Sequence, residues 1–242
     1  MRKRFLAIVL LTSISCFAQL DEILKKAQSA AQGTNGDTAG LSQGKIASGL
    51  MEALRISTSN AVARTGRPDG FLKNEAIKIL LPDKLKAVGK GMRLMGMGAQ
   101  VDELEIGMNR AAEQAAPKAK AIFLDALKQT TFTDARQILT GSDTAATQYF
   151  KRTSSADLTT EFSPIVHHAM ENVGVVKQYN ALLQSAPGGT ALAGNFDLDK
   201  YVVGKTLDGL FFTLGQEEKK IRKNPAAQTT DLLKEVFGQL RK

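Results

Sequence analysis

Hydrophobic residues recur at three- and four-residue intervals along most of the chain, which is the spacing of one face of an α-helix. The clearest stripe consists of Val101, Leu104, Met108, Ala111, Ala112 and Ala115. Similar stripes cover residues 42–64, 85–95, 158–183, 203–221 and 233–240. The pattern predicts an all-α protein, folded as an irregular helical bundle of about eight to nine helices.

Two sequence pairs have the spacing of a capping box, in which a hydroxyl residue and an acidic residue three positions later close the first turn of a helix. The first pair is Thr131 and Asp134, and the second is Ser154 and Asp157. We therefore expect one helix to begin after Thr131 and a longer one, reaching Leu183, to begin after Ser154.

One segment departs from the helical pattern. Ile77 and Ile79 alternate with Lys78, as in a strand or an extended segment. Pro82 then suits the first turn of the next helix. A short extended segment is therefore expected near residues 75–81, inside an otherwise helical domain.

The first 18 residues have the organisation of a secretory signal peptide. Basic residues at positions 2–4 precede an apolar run at 5–15, which is too short to span a bilayer. Small residues before position 19 fit cleavage after Ala18. The alternative is a lipoprotein that is acylated on Cys16.

These features predict a signal peptide at residues 1–18, a short helix and flexible linker at 19–40, and a single α-helical domain at 41–242. Removing the predicted signal peptide leaves 29 basic residues, 24 acidic residues and no cysteine. We expect a periplasmic or secreted protein that is held together without disulfides. Because its basic residues are dispersed and aromatics are few, nucleic acid is not an expected partner.

Few familiar catalytic or metal-binding motifs are available. The sequence has neither HExxH nor CxxC, and residues 204–206 lack the first glycine of a phosphate-binding loop. His167 and His168 are adjacent, and His167 stands four residues before Glu171, which is a spacing that could share a metal ion. An exposed histidine pair on a helix surface is the simpler interpretation, so we predict no metal and no cofactor.

Polar residues beside the 101–115 stripe are the first candidates for a site. Glu105, Asn109 and Glu113 form a row at four-residue spacing, Arg110 precedes Glu113 by three residues, and Glu103 shares an edge with Arg110. One interpretation is a solvated salt-bridge ladder on a half-buried helix. The other is that these side chains face a pocket or an internal polar network.

A second candidate lies near the end of the 203–221 stripe. Glu218 and Arg222, four residues apart, fit an ion pair on one helix. On the surface such a pair contributes only about 0.2–1 kcal/mol. If Arg222 instead points inward toward Glu103 or Glu113, the pair is partly desolvated and defines a site.

Several long blocks resemble a known family. They are NEAIKILLP, DELEIGMNRAAEQAAPKAKAIF, FTDARQILTGSDTAATQYF, and LDKYV with GLFFTLGQEEKKIRKNPAAQTTDLLKEVFG. These blocks are similar to successive blocks of the domain of unknown function 4197 family, over residues 41–238. The resemblance implies an exported α-helical protein of Gram-negative bacteria and supplies no mechanism.

Together these observations predict a non-catalytic envelope protein that binds a small apolar or amphiphilic ligand, or an envelope partner, and has no transmembrane helix in its mature chain. The candidate ligand-binding residues are Glu103, Asn109, Arg110, Glu113, Glu218 and Arg222. One alternative is a hydrolase that uses Glu103, Glu105 and Glu113 as acid and base. Another is a scaffold that only recruits a partner.

Overall fold

The computed structural model describes residues 43–172, 174–185 and 196–239, which form an irregular all-α bundle without a strand. The predicted fold class is therefore confirmed. The predicted signal peptide, short helix and linker lie outside the described residues. The helices are α1 (Gln43–Thr65), α2 (Asp83–Leu94), α3 (Gly98–Ala115), α4 (Ala119–Lys128), α5 (Phe132–Thr140), α6 (Ala145–Asn172), α7 (Val175–Ser185), α8 (Leu198–Lys223) and α9 (Asp231–Gln239).

The apolar stripe of α3 lies at the centre of the core. All six of its residues are fully buried, and α3 packs against α2, α6, α7 and α8. Aromatic rings fill the space between α4, α6 and α8: the centroid of Phe123 lies 5.4 Å from that of Phe150 and 5.8 Å from that of Phe211. Tilted and edge-on rings at these distances pack favourably, so side-chain burial holds the bundle together.

The predicted helix boundary at Thr131 is confirmed. The Thr131 hydroxyl accepts a hydrogen bond from the Asp134 amide at 3.1 Å, and the Asp134 carboxylate accepts one from the Thr131 amide at 3.0 Å. These two bonds make a complete capping box at the start of α5.

Two other predicted boundaries are wrong. Ser154 does not begin a helix, because α6 runs through it and its side chain is only 1% exposed. An N-cap needs a non-helical backbone, so the spacing to Asp157 is incidental. The stripe predicted to reach Leu183 is interrupted at Gly174, whose φ of +72° is accessible chiefly to glycine and separates α6 from α7.

The segment before α2 is neither helix nor strand. Residues 75–77 form a turn, and residues 78–82 have no regular structure. Ile77, Ile79 and Leu81 are buried while the residues between them are more exposed, as in an extended chain. The alternation fits the predicted extended segment. Because no strand pairs with it in the described part of the chain, its backbone groups need other partners.

Candidate functional site

The polar row on α3 supplies those partners. The side-chain amide of Asn109 accepts a hydrogen bond from the Ile79 N–H at 2.9 Å through its oxygen, and donates one to the Ile79 carbonyl at 2.8 Å through its nitrogen. The Glu105 carboxylate accepts from the Leu81 N–H at 3.1 Å. We call Glu105, Asn109 and Glu113 the α3 ladder, and residues 69–82 the clasped segment.

Glu113 extends the ladder to the start of the clasped segment. One of its carboxylate oxygens accepts hydrogen bonds from the Phe71 and Leu72 amides at 3.0 and 3.1 Å. Its other oxygen accepts from Arg110 at 2.6 Å. Both oxygens of a residue that is 5% exposed are thus occupied by groups of the chain itself.

The match between helix and segment has a simple geometric cause. Four residues of helix rise about 6 Å, and two residues of extended chain span about 6.6 Å. Amides two residues apart in an extended chain point to the same side. Glu105 and Asn109 are therefore spaced correctly to meet the amides of Leu81 and Ile79, and α3 takes the place of a neighbouring strand.

Arg110 completes this network at the surface. Its guanidinium donates to Glu113 and, at 2.7 Å, to Asp69, which also pairs with Lys73 at 2.7 Å. The hydrogen bonds with Glu113 and Asp69 raise the pKa of Arg110, and those with Lys73 and Arg110 lower the pKa of Asp69. The predicted Arg110–Glu113 pair is present. Arg110 also binds Asp69, which lies in a loop and is therefore not revealed by helix periodicity.

The remaining candidate on α3, Glu103, lies apart from this network. Its side chain is exposed and accepts a hydrogen bond from Gln178 of α7 at 3.1 Å. The structure thus brings together Asn109, Arg110 and Glu113, whereas Glu103 lies about two helical turns from Arg110 and binds Gln178 instead.

Glu218 and Arg222 form the predicted ion pair at 3.0 Å. Their side chains are 4% and 10% exposed, so the pair is largely buried, but neither Glu103 nor Glu113 belongs to it. The Glu218 carboxylate accepts hydrogen bonds from the amides of Ala146 and Thr147 at 3.0 and 2.9 Å.

Arg222 also reaches α5. Its guanidinium donates to the carbonyls of Ile138 and Leu139, at 2.8 and 3.2 Å, near the end of α5. A carboxylate at a helix N-terminus and a guanidinium at a helix C-terminus both complement the helix dipoles. The pair therefore joins the end of α5 to the start of α6.

A cleft that the sequence does not reveal opens between α6 and α8. We call it the α6–α8 cleft; its volume is about 700 Å³. The residues that matter most for its chemistry are Ser163, Pro164, His167, Asp199, Lys200, Val203, Gly204 and Leu207.

His167 joins the two walls of this cleft. Its Nδ1 lies 2.5 Å from an Asp199 carboxylate oxygen, and its Nε2 lies 3.5 Å from Glu171. The hydrogen bond to Asp199, the charge of Asp199 and the charge of Glu171 raise the pKa of His167 above the ordinary 6.5. The sequence shows the four-residue step to Glu171 but gives no signal for Asp199, which is distant in the chain and becomes a neighbour only when α6 and α8 pack.

A smaller, more polar cleft of about 490 Å³ lies beside Asp69. Two of its cations already have partners: Arg64 pairs with Glu217 at 3.1 Å, and Lys73 pairs with Asp69. This cleft lacks an apolar floor and adjoins the internal network rather than forming a separate site.

Within residues 43–172, 174–185 and 196–239, no three histidine, cysteine or acidic side chains converge in a way that could hold a metal ion. Asp199 and Glu171 contact opposite nitrogens of the His167 ring and so do not share a centre. Among these same residues, no helix is both long enough and apolar enough to cross a membrane.

Comparison with known proteins gives one result. A family model described as "Protein of unknown function (DUF4197)" matches residues 40–238, and this confirms the family resemblance of the sequence blocks. Comparisons with curated proteins and with solved structures produced no match.

Proposed function

We propose that this chain, which belongs to the DUF4197 family of proteins of unknown function, is an exported, non-catalytic protein that binds a small amphiphile in the α6–α8 cleft. The observation that carries the proposal is the cleft itself, with an apolar floor beneath a charged rim. Its volume of about 700 Å³ suits a small molecule, since such sites usually measure about 300–1,000 Å³.

The floor and the rim support the two halves of an amphiphile. Val203 is buried, Leu207 is half-buried, and Pro164 contributes an apolar ring from the opposite helix. At the rim, the Lys200 ammonium has no partner among the described residues and can bind a polar head group. The apolar part of a ligand would lie on the floor, where it leaves water.

Three acids were candidates for a carboxylate-based hydrolase, and their contacts favour binding over catalysis. Glu113 uses both of its oxygens on groups of the chain, and Glu105 accepts from the Leu81 amide. Glu103 is exposed and accepts a hydrogen bond from Gln178 of α7. A catalytic acid or base must reach a substrate atom, and these contacts leave little of the set available.

Ser163, His167 and Asp199 line one cleft, so a nucleophilic serine also needs consideration. The His167 nitrogen that faces away from Asp199 lies near Glu171, one turn toward the C-terminus of α6. Ser163 lies one turn in the opposite direction and donates its hydroxyl proton to the Thr159 carbonyl at 2.7 Å. A triad needs the histidine to accept the serine proton, and this arrangement does not offer that.

Export is part of the proposal and has its own test. The basic residues at 2–4, the apolar run at 5–15 and the small residues before Gln19 support cleavage after Ala18. Intact mass of the protein purified from the periplasm should correspond to a chain that begins at Gln19. A membrane-bound form that carries a lipid on Cys16 would contradict this and favour a lipoprotein.

The ligand site is tested by filling the cleft. Gly204 lines it, and a Cβ atom added there meets no atom within 4 Å. Gly204→Leu should therefore occupy the cleft without disturbing the fold. The matched control is Gly91→Leu, at another helical glycine with open space around it. The probe is N-phenyl-1-naphthylamine, whose fluorescence rises on transfer to an apolar site.

We expect the parent chain and Gly91→Leu to bind the probe, and Gly204→Leu to bind it at least about tenfold more weakly. Native mass spectrometry of the periplasmic protein should show a co-purifying small molecule that Gly204→Leu loses. Equal probe binding by all three chains would contradict the proposal. If the parent chain binds no probe and its mass shows no bound molecule, the result would favour the alternative that the protein is a scaffold that only recruits a partner.

A further inference from the structure

The end of α2 exposes its apolar side chains to an unusual degree. Leu94 and Met95 are 83% and 56% exposed, which makes them the most exposed large hydrophobic residues in the described part of the chain. They are consecutive, so they form one apolar point. A large side chain this exposed remains in contact with water at a cost unless a partner covers it.

The backbone beneath this point is well ordered by hydrogen bonds. The Met97 amide donates to the Met92 carbonyl at 2.9 Å, and the Gly96 amide donates to the Arg93 carbonyl at 3.2 Å. With Gly96 at a φ of +80°, these bonds form a Schellman motif that ends α2. Leu94 and Met95 are therefore held by a fixed turn. Binding of a partner there does not require the loss of backbone conformational entropy.

The exposed side of α2 is basic. Lys86, Lys90 and Leu94 follow one another at four-residue steps and so share a face. Lys84 and Arg93 are also exposed, and Asp83 is the only acidic residue within α2. We call the exposed residues Lys84, Lys86, Lys90, Arg93, Leu94 and Met95 the α2 face.

Some of this charge is paired inside the chain. Lys86 lies 2.7 Å from Asp83, and Arg93 lies 2.5 Å from Asp102 and 3.8 Å from Glu105, both of α3. Lys84 and Lys90 have no partner among the residues that the structure describes. With Asp83, Asp102 and Glu105 counted, the four cations still outnumber their acidic partners by one and leave a positive surface around an apolar point.

We infer that the α2 face docks on an anionic phospholipid surface, with Leu94 and Met95 entering the head-group region. Basic side chains are attracted to such a surface within a Debye length. Apolar side chains add burial, and stable attachment generally needs two such signals together. The chain without residues 1–18 has 29 basic and 24 acidic residues, and this excess has the complementary sign. This inference is independent of the α6–α8 cleft.

The chain contains no tryptophan, so a single one can report on one position. Leu94→Trp places an indole at the apolar point, and Phe212→Trp places one at an exposed position of α8, where the parent side chain is 46% exposed. Both full-length variants are mixed with vesicles of equal parts phosphatidylglycerol and phosphatidylcholine. Brominated phosphatidylcholine then serves as a quencher within the bilayer.

With these vesicles, we expect the emission of Leu94→Trp to shift to shorter wavelength and to be quenched by the brominated lipid, while Phe212→Trp changes little. Pure phosphatidylcholine should give a much smaller response. Adding Lys86→Glu and Lys90→Glu to the Leu94→Trp chain should weaken its binding to the vesicles by about tenfold or more. The attraction of only one or two basic residues to an anionic surface is enough to change the affinity about tenfold.

Three results would overturn the inference. The first is an indole at position 94 that stays in water while the protein binds vesicles elsewhere. The second is an equal response at position 212, and the third is an equal response to vesicles without phosphatidylglycerol. Because all variants share the same residues 1–42, a contribution from that part of the chain is common to every comparison.

Discussion

The α3 ladder and the α6–α8 cleft use similar side chains in opposite ways. In the ladder, Asn109 is fully buried and Glu113 nearly so, and their polar atoms contact backbone groups of the clasped segment. In the cleft, His167 and Lys200 are exposed, and the contacts of His167 are made to side chains at the surface. Buried polar groups are retained where the chain itself satisfies them, so the ladder stabilises the fold, whereas His167 and Lys200 of the cleft remain exposed.

Breaking the Glu218–Arg222 pair should have the largest effect on stability. It tests whether polar groups that are satisfied inside the chain stabilise the fold. Glu218→Ala leaves Arg222 largely buried without its carboxylate partner, although its bonds to the Ile138 and Leu139 carbonyls remain, and leaves the amides of Ala146 and Thr147 unpaired. Such a loss typically costs about 3–5 kcal/mol in the free energy of unfolding. Urea unfolding followed by circular dichroism measures it.

The control for that experiment is Glu103→Ala, at an exposed acid with one side-chain partner. It should leave the unfolding midpoint nearly unchanged. If Glu218→Ala behaves like Glu103→Ala, the buried pair does not hold α5 to α6.

Asn109→Ala is expected to have the next largest effect. It leaves the Ile79 N–H and carbonyl without partners, and each buried group left unpaired costs about 1–3 kcal/mol. Urea unfolding should show the loss, while probe binding in the α6–α8 cleft should be unchanged. Asn74→Ala is the control, because Asn74 makes a similar bond to a backbone amide at the surface.

A smaller effect is expected from pH. Because the folded-state pKa of His167 is raised, its contribution to stability is complete below pH 6.5 and is lost as the pH rises through the folded-state pKa. The unfolding midpoint should therefore fall over this interval in the parent chain and fall less in Asp199→Asn. Glu171→Gln should have a weaker effect than Asp199→Asn, since the hydrogen bond to Asp199 is the main cause of the shift.

Nuclear magnetic resonance can separate this histidine from its neighbour. The chain has two histidines, His167 and His168. The imidazole C2–H signal of His167 should titrate above pH 6.5 and move to lower pH in Asp199→Asn. A His167 signal that titrates identically in both chains would show that the two walls of the cleft are not joined in this way.

Filling the cleft should have the smallest effect on stability. Gly204→Leu removes a helical glycine at a position with open space, and helix propensity favours leucine over glycine by about 1 kcal/mol. The unfolding midpoint should not fall, although probe binding should. A destabilised Gly204→Leu would mean that the cleft is part of the packed core.

The helices were largely predictable because their signal is local. The stripe on α3 and the capping box at Thr131 depend on residues within a few positions of one another, and the structure reproduces both. Ser154 misled the prediction because a capping-box pattern also arises by chance inside a helix. The break at Gly174 was missed because the apolar period continues across it in the sequence.

The partners of the candidate residues were not predictable in the same way. The sequence placed Glu105, Asn109 and Glu113 beside the core but could not show that they bind backbone amides within residues 71–81. Side-chain-to-backbone contacts of this kind depend on where a non-helical segment lies, which periodicity does not encode. Likewise, nothing in the sequence links His167 to Asp199, because that pair depends on how α6 packs on α8.

Because side chains of α3 bind the backbone of residues 78–82, the number of residues in this segment matters more for stability than their identity. The contacts reach main-chain atoms, which every residue except proline supplies in full. Lys78 or Leu80 could therefore be exchanged for many other residues at little cost. Adding or deleting a single residue between Ile79 and Leu81 would instead turn one amide away from its acceptor and send a buried side chain toward solvent.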